Sequence, residues 1–147
     1  QRVGSAAWED TTRRNLIQYA LQGLVSSYGL GLGAGNVETY MEQFRYFTGD
    51  TTNVHNWWLE IAANYGVLIF VGYVFLYFSL MNRTYKNLRR AADRSQAMLA
   101  EAVFLGLLGL TIGSISSSSL IELLPYWMFV GFALAVLNSS RLVQGTL

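Results

Sequence analysis

Residues 61–81, "IAANYGVLIFVGYVFLYFSLM", form twenty-one consecutive positions without a charge. A helix of that length, rising about 1.5 Å per residue, crosses a hydrocarbon layer of roughly 30 Å. The run is apolar on every side and longer than most core helices of soluble proteins, which favours a membrane span over a buried helix. Trp57, Trp58 and Tyr65 stand near its start, and Tyr77 and Tyr85 near its end. Aromatic residues collect in this way at the two membrane interfaces. The expected span covers about residues 59–81.

The sequence after it, "NRTYKNLRRAADR" (82–94), carries five basic residues and one acid. A short basic connection between apolar runs marks the cytoplasmic side, so 82–95 reads as a cytoplasmic loop. Two more spans follow, at about 96–115 and 120–138. Gly106, Gly109 and Gly113 suit close helix contact in the first of these. "SSSS" (116–119) reads as a turn on the opposite side, and Pro125 falls in the first turns of the last span. Three alternating spans place residues 1–56 outside the cytoplasm. The expected division is an extracytoplasmic catalytic-loop segment, 1–56, and a transmembrane segment, 57–147.

Composition agrees. Of 147 residues, 52% are apolar and 13% charged, about half the charged share of soluble domains. The net charge of +1 gives no electrostatic case for nucleic acid. The absence of cysteine excludes disulfides and thiolate chemistry. A start at Gln1 without a signal peptide reads as a piece of a longer protein, or a processed one.

The outer segment follows helical periodicity. Leu16, Ile17, Ala20, Leu21, Leu24, Val25 and Tyr28 share one face, with Thr11 or Thr12 as cap. "GLGLGAGN" (29–36) breaks that helix at a backbone that must bend sharply and pack closely. Asn36 can cap a second short helix with the stripe Val37, Tyr40, Met41, Phe44 and Phe47, ended by Gly49. The expected fold is an all-α integral membrane protein. It has about three transmembrane helices and an extracytoplasmic loop with two short amphipathic helices, within a larger polytopic bundle.

Few residues in this pattern can carry chemistry. The glycine stretch is not a dinucleotide fingerprint, since Ala34 and Asn36 occupy the positions where the third glycine would be needed. His55 is the single histidine, and with Glu60 and Asp50 it makes no recognised metal-ligand spacing. No G-x-S-x-G elbow supports a serine triad. Arg13 and Arg14 form a pair that can clamp phosphate oxygens, or can contact headgroups and the neighbouring acids. His55 can act as general base or acid, or simply hydrogen-bond its loop.

The order of these features resembles the O-antigen ligase and polymerase family of membrane glycan-assembling enzymes. "TTRRNLIQYAL" puts Arg13 on the family arginine, "GLGLGAGN" supplies the bend, and "VHNWWLE" supplies the His-Asn before a span. The tryptophan-rich version looks most like Gram-positive members such as teichuronic acid polymer proteins. The match covers about residues 11–80. Two departures stand out: Asn64 precedes Tyr65 and Gly66 where the family often has a glutamate, and Ile69 replaces a second glycine. The resemblance implies a multi-pass enzyme of the bacterial cytoplasmic membrane. It would move an undecaprenyl-diphosphate-linked glycan onto an acceptor sugar hydroxyl at the outer face, with inversion and without cofactor, nucleotide sugar or metal. His55 and Arg13 would then be catalytic, and Arg14, Asn56, Glu60 and Trp57 would bind substrate. Its partners would be the lipid-linked donor, the glycan acceptor, the bilayer and the remaining helices of the parent protein. A polysaccharide transporter or flippase segment, or a non-enzymatic membrane module, are the competing readings.

Overall fold

A computed structural model describes residues 2–48, 51–91, 93–115 and 123–144, with side chains between 11 and 139. Every regular element among the described residues is helical: α1 (Arg2–Ser26), α2 (Asn36–Glu42), α3 (Arg45–Thr48), α4 (Trp57–Arg89), α5 (Arg94–Gly113) and α6 (Leu124–Gln144). They form two compact units. The first runs to Gly72 and includes Ser114, and the second takes the rest of α4 with α5 and α6.

In the first unit, α1 packs on α2 and α3. Its core is Leu16, Ala20, Val37, Met41, Val54 and Ala63. The face that α1 buries is narrower than its apolar pattern suggests: Leu16 and Ala20 are inside, whereas Leu21, Val25 and Tyr28 are exposed. α1 also starts at Arg2, so Thr11 and Thr12 lie inside the helix and do not cap it. No proline interrupts residues 2–10, and nothing there stops a helix from propagating upstream. At its other end, Tyr28 N–H donates to the Val25 carbonyl and Gly29 N–H to that of Leu24, with Tyr28 left-handed at φ 55. This is the Schellman closure, which satisfies two carbonyls that the helix leaves open.

The single second helix expected from the stripe is two pieces, α2 and α3. Val37 and Met41 are buried, Tyr19 stacks on Phe44 at 4.0 Å, and Phe47 lies half-open at the edge. Asn36 is not the cap. The N-cap position is Gly35, and the Asn36 amide instead donates to the Leu32 carbonyl at 3.0 Å. Gly49, expected to end this helix, lies outside the described residues.

α4 is longer than the expected span of about 59–81 and is broken inside it. Its 33 residues run on through the predicted basic loop to Arg89. Residues 82–89 contain neither proline nor glycine, and Lys86 and Arg89 complement the carbonyl end of the helix. Only 90–93 separate it from α5. Inside the apolar run, Gly66 adopts φ 85 and ψ 170, which breaks α4 into Trp57–Tyr65 and Val67–Arg89. The second piece alone is about 35 Å long at 1.5 Å per residue.

α4 and α5 are long and apolar enough to span a membrane, each holding an 18-residue stretch with mean hydropathy of 1.8 and 1.6 respectively. α6 is apolar from Leu124 to Ser139. Leu68 is 86% exposed, Phe75 70% and Ile112 72%. Apolar surface of this extent needs lipid or further helices against it. The protein is an all-helical membrane protein.

In the second unit, α5 opens on Asp93, whose carboxylate accepts the Gln96 N–H at 2.7 Å. α6 carries Pro125 in its first turn, where a missing N–H costs nothing. Gly106 on α5 lets the Phe129 ring of α6 sit against its backbone. Gly109 and Gly113, expected to do the same, have no neighbour within 4 Å of their Cβ positions. Tyr77 was expected at an interface, yet it is buried and its hydroxyl donates to the Leu107 carbonyl at 2.7 Å. The Tyr73 and Tyr126 hydroxyls share a hydrogen bond. Hydroxyls thus join α4 to both neighbours, as polar groups do between membrane helices. Residues 116–122, with the predicted serine turn and Glu122, lie outside the described residues.

Candidate functional site

The loop before α4 is pinned at two buried points. Val54 enters the core, and Trp57, 1% exposed, donates its backbone N–H to the Ser114 carbonyl at 3.1 Å. Between them His55 is exposed in the left-handed region, φ 48. That conformation is uncommon outside glycine and is tolerated by histidine and asparagine. Here it is held by His55 N–H donating to Asn53 Oδ1 at 3.0 Å. A short, anchored loop therefore presents the imidazole outward.

Asn56 serves the backbone. Its Oδ1 accepts the Leu59 N–H at 3.1 Å and its carbonyl accepts the Glu60 N–H at 2.9 Å, an N-cap of α4. An asparagine just before an apolar helix is a start signal, so this role was legible in the sequence. Glu60 lies in the first turn, where the helix dipole favours a carboxylate. Trp57 offers no face for a sugar, because its ring is enclosed. Its indole packs instead with that of Trp58, centroids 5.1 Å apart. Burial equally removes Trp57 from the predicted set of membrane anchors.

Arg13 and Arg14 are both exposed on α1. At 100° per residue, Arg13 lies within about 20° of Ala20 around the axis, whereas Arg14 is turned about 120° away. The Leu16 and Ala20 face meets Val54 in one core. Arg13 precedes buried Leu16 by three residues and His55 follows buried Val54, and Leu16 and Val54 belong to one core cluster.

Sequence reading missed how the glycine bend is used. Leu32 N–H donates to the Ala63 carbonyl at 2.7 Å, Gly33 N–H to Asn64 at 2.9 Å, and Val67 N–H to Gly29 at 2.8 Å. The bend thus fills hydrogen bonds that the break in α4 leaves open, so these backbone groups are paired within the protein. A Cβ on Gly31 would stand 2.5 Å from Gly66 N, and one on Gly66 would stand 2.5 Å from the Leu30 carbonyl oxygen. Only glycine at both positions permits this approach. Among the described residues, no group of three or more His, Asp or Glu stands together as a metal site.

Long apolar helices define a membrane protein. The chain is 35% identical over 133 residues to the teichuronic acid biosynthesis protein TuaE of Bacillus subtilis (strain 168). That similarity covers 90% of this chain and 27% of TuaE, so the chain spans about a quarter of its relative's length. No family model matches the chain, and no solved structure does. The protein is related to a component of teichuronic acid, and hence polysaccharide, biosynthesis.

Proposed function

We propose that this chain carries the transfer site of a membrane glycan polymerase or ligase. In this reaction an acceptor sugar hydroxyl attacks the anomeric carbon of a glycan linked to undecaprenyl diphosphate. The new C–O bond forms as the anomeric carbon–phosphate oxygen bond breaks, with inversion. His55 receives the hydroxyl proton and Arg13 stabilises the charge gathering on the departing diphosphate. The protonated imidazole then returns its proton to solvent. Residues 1–56 lie on the extracytoplasmic side, as the basic residues after Tyr85 argue. Asn56 sets the start of α4, and Glu60, one turn on, is placed to meet a sugar hydroxyl.

The relation to a teichuronic acid biosynthesis protein carries this reading, and the shared core beneath Arg13 and His55 supports it. The test is the parent protein, purified and reconstituted, supplied with lipid-linked repeat units. New glycosidic bonds and released undecaprenyl diphosphate are the expected products. Movement of intact donor across the bilayer with no new bond would show a transporter instead.

A further inference from the structure

One buried amide joins three segments around this site. Asn64 is 7% exposed. Its backbone carbonyl accepts the Gly33 N–H at 2.9 Å. Its Oδ1 accepts the Val37 N–H at 3.4 Å, and its Nδ2 donates to the Glu60 carbonyl at 3.2 Å. α2 has no side-chain cap of its own, because Gly35 occupies the N-cap with φ 73. Val37 N–H is among the donors that a helix leaves open in its first turn. A residue 27 positions away supplies its acceptor.

The side-chain chemistry is specific. The amide accepts from α2, while its donor bond turns back to the Glu60 carbonyl, four residues earlier in α4. Aspartate keeps only the acceptor, and alanine keeps neither. α1 bears Arg13 and packs on α2, while the first half of α4 follows His55 directly. α2 is therefore the middle piece between the arginine helix and the histidine loop, and Asn64 is its hydrogen-bonded joint to α4.

We propose that Asn64 is a positioning residue, which fixes α2 on the first half of α4 and so sets the separation of Arg13 and His55. The proposal rests on the glycan-transfer reading above. Asn64 touches neither donor nor acceptor and acts through the two elements it ties.

Three variants of the full-length protein test it: Asn64→Ala, Asn64→Asp, and Asn64→Ala combined with Gly35→Asn. The Cβ position of Gly35 meets nothing within 4 Å, and asparagine tolerates a left-handed backbone. Gly35→Asn therefore offers α2 a local cap without restoring the tie. Nitroxide labels at Gln18→Cys and Thr52→Cys, in a background without other cysteines, report the distance between α1 and the histidine loop.

Asn64→Ala should broaden that distance distribution and lower kcat by roughly 10- to 100-fold, with KM changed far less, because misplacement by about an ångström acts on the reacting geometry. Gly35→Asn should restore thermal stability but neither the narrow distribution nor kcat. Recovery of kcat together with stability would overturn the proposal, leaving Asn64 a cap alone. If Asn64→Ala fails to accumulate, its combination with Gly35→Asn gives the same readouts, while Asn64→Asp keeps the acceptor for Val37 N–H and should broaden the distribution less. A distribution left narrow by Asn64→Ala, alone or combined with Gly35→Asn, would overturn the tie itself. Broadening in a protein that transfers no glycan would overturn the reading of function, so the two failures are separable.

Discussion

Replacing Gly31 by alanine should loosen the joint between the glycine bend and α4. The new Cβ would lie 2.5 Å from Gly66 N and 2.6 Å from the Asn64 carbonyl oxygen, where ordinary contact begins at 3.4 Å. Both obstacles are backbone, so the two chains must part by close to an ångström. The three hydrogen bonds between them, now 2.7–2.9 Å, would stretch beyond useful length. At about 1 kcal/mol each, their loss totals about 3 kcal/mol. Alanine held at φ 86 adds about 1–2 kcal/mol. The sum, about 4–5 kcal/mol, approaches the whole stability of a small domain. Gly35→Ala is the internal control. Its φ is 73 but its Cβ position is open, so it should cost only the conformational term, about 1–2 kcal/mol. Denaturant unfolding in mild micelles, followed by tryptophan fluorescence, measures both. Equal midpoints for the two variants would refute the close approach on which this reasoning depends.

Other consequences follow from single contacts. Asn56→Ala should destabilise the protein by about 1 kcal/mol through loss of the α4 cap, and Asn56→Asp should restore most of it, measured in the same unfolding assay. Tyr77→Phe should cost about 0.5–1 kcal/mol by removing the donor to the Leu107 carbonyl, the loss being softened because Thr111 Oγ1 also donates there at 2.9 Å. It should leave glycan transfer unchanged. A cysteine at position 53 should react with an impermeant thiol reagent on intact cells, and one at 87 should not. The reverse pattern would place His55 in the cytoplasm.

The membrane character was legible from the uncharged run alone, since it depends only on local composition. The close packing of "GLGLGAGN" was legible for the same reason. The break at Gly66 was not. Glycine is tolerated in membrane helices, and the groups that satisfy the broken backbone lie at Gly29, Leu32 and Gly33, more than thirty residues upstream. Periodicity reports on one segment at a time and carries no sign of such a partner. The same limit explains Tyr77, whose position suggested an interface but whose hydroxyl finds Leu107 on the next helix. It also explains Trp57, whose side chain is buried and whose backbone N–H meets the distant Ser114 carbonyl. Of the candidate site, the residue types were legible. Which of Arg13 and Arg14 shares an angular sector with the buried Ala20 depends on the face that α1 buries.

The central claim is that His55 and Arg13 perform glycan transfer, and the initial transfer rate of three variants at equal membrane abundance tests it most directly. His55→Ala should lose about 100-fold or more, as removal of a general base does. Arg13→Ala should lose a comparable amount through the leaving group. Arg14→Ala should stay near the parent rate. Near-normal transfer by both the His55 and Arg13 variants would contradict the account.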